Sequence, residues 1–253
     1  TEFGSEDVLK TIPGFFRRVG DTNYTFKRFK GIGIPIINTI DQIIGIQVRL
    51  DEVPEGASRY FWFSSAGAID DPTGKTECGT SSGSPIGVIY PEVIKYPTLF
   101  ITEGVFKGIK IAEEFGCIAL SVQGVGAWKE IQKTIDNLEK EKGIEIKYIF
   151  VAFDADMCYN PRVYKQAKKM TDALKLDNDF IYYVSWDILL GKGIDDMLND
   201  GHKKLIKKYK KVEFDKNYEI VIEKAIEGEE EKVVEKIDKE IFKSYYDRYM
   251  ILT

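Results

Sequence analysis

Two short apolar runs, each ending in carboxylates, constrain this chain more than any other feature. Leu99-Phe100-Ile101-Thr102 leads into Glu103-Gly104, and Ile149-Phe150-Val151-Ala152-Phe153 leads into Asp154-Ala155-Asp156. Runs of this length and composition read as strands buried on both faces, and such strands belong to parallel sheets covered by helices. In an open α/β sheet the chemistry sits just beyond the carboxyl ends of the strands, which is where Glu103, Asp154 and Asp156 fall. Converging carboxylates repel one another unless a cation lies between them. Hard oxygen donors in that number suit Mg²⁺, which takes a carboxylate or two together with waters and phosphates. The competing explanation is helix capping, since acidic residues favour helix starts. Capping is sufficient for any one of the three and a poor account of all of them.

The surrounding pattern extends the α/β reading. A helix is expected over 105–115, then a strand over 117–122. Trp128, Ile131, Ile135 and Leu138 recur at spacings of three and four, which predicts an amphipathic helix stopped by Gly143. A strand over 146–153 carries the Asp pair. Asn160-Pro161 is an N-cap followed by a first-turn proline, with Val163, Ala167, Met170 and Leu174 as the buried stripe. The next strand is expected over 180–184. Beyond Gly201 the chain becomes rich in Lys and Glu, and Val233, Ile237 and Ile241 keep helical spacing.

The first half is β-like. Strands are expected at 34–37, 43–50, 59–63 and 86–90, with Asn38 to Gln42 as a turn and a polar Gly/Ser/Thr-rich loop over 64–84. Ahead of them, Phe15-Phe16-Arg17-Arg18 and Phe26-Lys27-Arg28-Phe29-Lys30 interleave aromatic and basic residues. Such interleaving can grip a nucleic-acid strand; the favoured reading is an amphipathic lead-in whose Phe rings pack on the body.

Composition removes several classes. No apolar run approaches the roughly 18 residues of a membrane helix, and no secretory leader is visible. The three cysteines are far apart and His202 is the single histidine, so a zinc ribbon or a His-based metal site is not expected within these residues. Reduced, buried thiols and a cytoplasmic setting fit instead. A net charge of −5 argues against indiscriminate coating of nucleic acid, while leaving room for a local basic groove. The phosphate-loop pattern of ATPase motors is missing, and Gly124-Val125-Gly126 lacks the third glycine of a dinucleotide turn.

The Glu103-Gly104 and Asp154-X-Asp156 pair, in order and at strand ends, resembles the TOPRIM domain shared by bacterial-type primases, certain topoisomerases and some nucleases. The resemblance covers roughly residues 98 to 200. Gly33-Ile34-Pro35-Ile36, Ile44 to Leu50 and Arg59 to Ser65 look like the subdomain that precedes TOPRIM in bacterial and phage primases. Topoisomerases and nucleases lack that unit. Gly191-Lys192-Gly193-Ile194-Asp195-Asp196 is similar to the Gly-Lys-Asp-Pro-Asp-Glu segment of primases, without its proline and one acidic residue.

The resemblance implies an α/β fold: a TOPRIM-like Rossmannoid parallel sheet flanked by helices, preceded by a small mostly-β subdomain and followed by a helical tail. The expected divisions are a lead-in over 1–30, the β subdomain over 31–97, TOPRIM over 98–200 and a helical segment over 201–253. It implies a metal-ligand or acid/base role for Glu103, and Mg²⁺ (or Mn²⁺) ligation by Asp154 and Asp156. Asp195 is a further ligand candidate, weighed equally against a turn and helix cap; for Asp196 the cap is preferred. Lys107, one turn past Glu103, is a candidate for a nucleotide phosphate. Arg49 and Arg59 fall where primases place basic residues facing template or nucleotide.

The expected function is primase catalysis: primer synthesis from nucleoside triphosphates on single-stranded DNA, by a phage, plasmid or integrated-element protein, with a replicative helicase as a possible partner and no membrane. The alternatives are a TOPRIM nuclease and a non-catalytic single-stranded-DNA-binding module. The chain is expected to be a fragment, because the family's usual upstream zinc module and downstream helicase region are missing from it.

Overall fold

β-branched and aromatic runs in the first half form two small antiparallel sheets. The computed structural model describes residues 6–26, 30–66, 73, 76–77, 79–158 and 160–226. The chain divides into two compact units between Val88 and Ile89.

In the first unit a short helix, α1 (Glu6–Leu9), precedes β1 (Phe15–Arg18) and β2 (Tyr24–Phe26). The expected lead-in therefore contains a short helix and an antiparallel strand pair. The rings of Phe15, Phe26 and Phe63 meet at centroid distances of 5.9 to 6.3 Å, so Phe15 and Phe26 pack within the unit, as the favoured reading had it. Lys27, Arg28 and Phe29 lie outside the described residues. The second sheet runs in the order β3 (Gly31–Ile37), β4 (Ile43–Leu50), β5 (Tyr60–Trp62). Asn38 closes its first turn: its side-chain oxygen accepts from the backbone N–H of Gln42 at 2.9 Å. β6 (Thr76–Glu77) pairs with β1. Cys78 and most of the 64–84 loop tip fall outside the described residues.

The second unit is built on a six-stranded sheet. Its elements in chain order are β7 (Gly87–Ile89), β8 (Thr98–Glu103), α2 (Val105–Phe115), β9 (Ile118–Val122), α3 (Ile131–Lys142), β10 (Tyr148–Ala152), α4 (Pro161–Asp172), β11 (Ile181–Ser185), α5 (Ile194–Asn199), β12 (Lys207–Lys210) and α6 (Lys211–Ile226). The strand order is β12-β11-β10-β8-β9-β7. β9, β8, β10 and β11 are parallel to their neighbours, and β12 adds antiparallel to β11. The mixed α/β class, with small antiparallel sheets in the N-terminal unit, is the expected one.

Burial follows the sequence logic. Leu99, Ile101, Leu120, Ile149 and Val151 are 0 or 1% exposed, as central parallel strands require. Gly143 ends α3 in the left-handed region at φ 64°, the conformation for which glycine carries no Cβ penalty. Asn160 caps α4 by accepting from the N–H of Arg162 at 3.1 Å. The buried stripe of α4 is centred on Tyr164, Ala167 and Met170; Val163 is half-buried, one residue off the expected face.

The described part of the C-terminal segment is held by a buried ion pair. Lys211, 3% exposed, donates to Asp215 at 2.8 Å and to Asp172 at 2.6 Å, and the Tyr164 hydroxyl donates to Asp215 at 2.7 Å. Burial pushes the Asp172 carboxyl up, but its bonds to Lys211 and Lys168 outweigh that and hold it below the usual range. Helix α6 is described as far as Ile226; Val233, Ile237 and Ile241 lie outside the described residues. Cys117 and Cys158 are buried, and burial pushes the Cys117 thiol up to about 11. No described helix is long and apolar enough to cross a membrane.

Candidate functional site

Register places the carboxylates. β8 pairs with β10 so that Thr102 lies opposite Ala152, and the two strands therefore deliver Glu103 and the Phe153-Asp154 turn to the same edge. The Thr102 hydroxyl donates to the Ala152 carbonyl at 2.8 Å. Gly104 follows with φ 87°, a value in the left-handed half that an L side chain adopts only under strain. After β10, Asp154 and Asp156 flank the buried Ala155 at the entry to a short 3₁₀ turn, Ala155–Cys158.

The acidic groups act on one another. Burial raises the Glu103 carboxyl above its ordinary value, and the negative charge of Asp154 raises it further; Lys107 and Lys192 pull it back, and Asp156 adds a smaller upward push. Asp195, on α5, is also raised by burial, with Lys107 opposing and Asp196 adding to the rise. Asp154 and Asp156 thus act on Glu103, and Lys107 is the group that acts on both Glu103 and Asp195. Asp195 is the second residue of α5 rather than its cap. The capping role belongs to Asp196, whose carboxylate accepts from the N–H of Gly193 at 2.9 Å.

Two lysines enter the cluster. The Lys107 ammonium pairs directly with an Asp154 carboxylate oxygen, and the Lys192 ammonium stands 3.5 Å from the other. Lys107 and Asp154 side chains are 19% and 14% exposed, against 68% for Lys192. The loop carrying Lys192 is fastened at two points. Ala155 N–H donates to the Lys192 carbonyl at 3.0 Å, and the indole of buried Trp186 donates to the Gly191 carbonyl at 2.8 Å. A Cβ on Gly193 would come within 2.9 Å of Lys107 Cε and 2.2 Å of an Asp195 carboxylate oxygen. Lys192 lies within the Gly191-to-Asp196 segment singled out in the sequence but carries no expected role there, and Trp186 is not singled out.

The fit to a hard divalent cation is one of chemistry: the donors are carboxylate oxygens, and Asp154 and Asp156 add to the rise that burial imposes on Glu103. Among the described residues, however, no group of three or more His, Cys, Asp or Glu side chains stands arranged to hold a metal ion. Asp154 is turned onto ammonium groups instead.

Arg49 and Arg59 belong to the first unit. Arg49 pairs with Tyr60, and Leu50 N–H donates to the Arg59 carbonyl at 2.9 Å. Continued along the pleat, that register puts the two arginines on opposite faces of the β4–β5 ribbon. In the second unit, a cavity of about 390 Å³ involves Thr98, Phe100, Phe115, Phe150 and Lys208. None of the candidate residues lines it.

Comparison with known proteins points one way on fold. A family model described as "Domain of unknown function (DUF3854)" matches residues 90–204. No curated protein matches by sequence. Among solved structures, the RNA polymerase domain of Mycobacterium tuberculosis primase DnaG is similar at 14% identity and a TM-score of 0.55, with 94% of this chain and 75% of that one covered. The Aquifex aeolicus primase fragment with zinc-binding and RNA polymerase domains is similar at 15% identity and a TM-score of 0.51, covering 84% of this chain. This chain spans 47% of the length of that fragment. The fold is that of the TOPRIM-containing catalytic cores of DnaG-type primases.

Proposed function

We propose that this chain is the catalytic core of a DNA primase, a nucleotidyltransferase that joins nucleotides on a single-stranded DNA template as part of a mobile-element replication protein. One observation supports the reading: within a primase-core fold, the β8–β10 register brings Glu103 and Asp154 to one sheet edge, where Lys107 pairs with Asp154 and bears on Glu103 and Asp195. The M. tuberculosis primase domain, similar at a TM-score of 0.53, is described in complex with double-stranded DNA bearing a 6-nucleotide overhang. A replicative helicase is the proposed protein partner.

Asp154, Asp156 and Asp195 would hold Mg²⁺ or Mn²⁺. When bound, the ion supplies charge neutralisation for the triphosphate and activation of the 3′-hydroxyl. Glu103, with its raised carboxyl, takes the 3′-hydroxyl proton while that oxygen bonds the α-phosphorus and pyrophosphate leaves. Lys192, exposed and loosely paired, meets the leaving phosphates, and Arg49 and Arg59 bind template or nucleotide phosphates.

The test is incubation with single-stranded DNA, Mg²⁺ or Mn²⁺ and labelled nucleoside triphosphates. Dinucleotide formation, lost in Asp154→Asn, is the expected result. Degradation of the DNA without synthesis identifies a nuclease, and DNA retention with neither reaction identifies a binding module.

A further inference from the structure

We propose that Lys107 is a built-in counter-ion of the carboxylate site, standing where a second cation would otherwise be needed, so that the site takes a single divalent ion. The inference rests on reading this site as cation-binding.

Charge balance is the first argument. Lys107 sets a positive charge against Asp154 and bears on Glu103 and Asp195 as well. The carboxylates there therefore need less positive charge from metal than they would without it.

Placement is the second. An incidental surface lysine extends into water, whereas Lys107 is 19% exposed at its side chain and paired with Asp154. Its stem runs against the buried Gly193, in space a Cβ would fill. Its charge bears on Glu103 from β8 and on Asp195 from α5, besides Asp154 after β10. It is thus the common partner of three segments. Lys192 contrasts with it: 68% exposed and 3.5 Å from Asp154, it is free to move to an incoming phosphate. A fixed Lys107 also accounts for the absence, among the described residues, of an open three-carboxylate group.

Mn²⁺ binding to the intact chain without nucleotide, followed by calorimetry and by the Mn²⁺ electron paramagnetic resonance signal, tests this. Wild type is expected to take one ion. Lys107→Met should take its ion about tenfold tighter, the order of effect of removing one partly screened unit charge. Lys107→Asp should take two. Lys107→Gln serves if the methionine variant unfolds. Two ions in wild type, or an unchanged affinity in both neutral variants, overturns the inference. If Asp154→Asn still abolishes uptake in that case, the cation-site reading survives it. Uptake by neither wild type nor Lys107→Met overturns both, and uptake by Lys107→Met alone overturns the single-ion inference while the cation-site reading survives.

Discussion

The hydroxyl of Thr102 donates to the carbonyl of Ala152 at 2.8 Å, and both residues are fully buried. Each lies just upstream of a candidate ligand, so this bond locks the strand end bearing Glu103 to the one leading to Asp154. Thr102→Val keeps the shape and removes the donor. The expected cost is about 1 kcal/mol, the typical net worth of one such bond, read as a lower urea midpoint with unchanged slope. Mn²⁺ affinity should fall with it, and an unaltered affinity would show that the sheet alone sets the spacing.

Glu103 gives the fold a pH signature. In the unfolded chain it titrates near 4.5, and in the fold it titrates higher. Between those values the folded state binds the extra proton, so stability contributed at low pH is lost as pH rises through the folded value. Asp195, raised from 3.8, adds in the same direction. Glu103→Gln is always neutral and should melt above wild type at pH 7, by about 2–4 °C for each kcal/mol relieved. That gap should close below about pH 4, where wild type is protonated as well. An equal gap at both pH values would contradict the assignment.

Lys211 is expected to be a stability residue without a role in turnover. Lys211→Met removes the ammonium 2.8 Å from the Asp215 carboxylate, 8% exposed, while Asp172 keeps Lys168. Losing one partner of a buried pair costs about 3–5 kcal/mol, measurable by urea unfolding. A loss under about 1 kcal/mol would mean that water reaches Asp215.

Gly193→Ala separates site from fold. At φ −95° the backbone accepts alanine, but the new methyl displaces Lys107 and Asp195. Circular dichroism and melting temperature should match wild type within experimental scatter, while primer synthesis falls about tenfold or more, as misplacement of catalytic groups by about an ångström commonly does. Full synthesis would show that neither side chain needs its present position.

Much of this arrangement was legible in the residues themselves, for one physical reason. A buried parallel strand is a rigid connector, so a carboxylate directly after it lands at a known edge, and Glu103, Asp154 and Asp156 needed no other information. Asp195 was half legible, because a short helix after a strand leaves open which of its acids caps it; Asp196 took that part. Lys192 depends on how the loop is tied by Trp186 and Ala155, contacts with no periodicity to betray them. The β1–β2 hairpin was obscured by its mixed aromatic and basic composition, which suits an amphipathic lead-in equally well. For Arg49 and Arg59, composition suggested a shared task, but pairing parity decides which way each points.

The pairing of Lys107 with Asp154 bears on how the protein is made as well as how it works. Because Asp154 finds an organic cation within its own chain, closing this end of the sheet does not have to wait for an ion from outside.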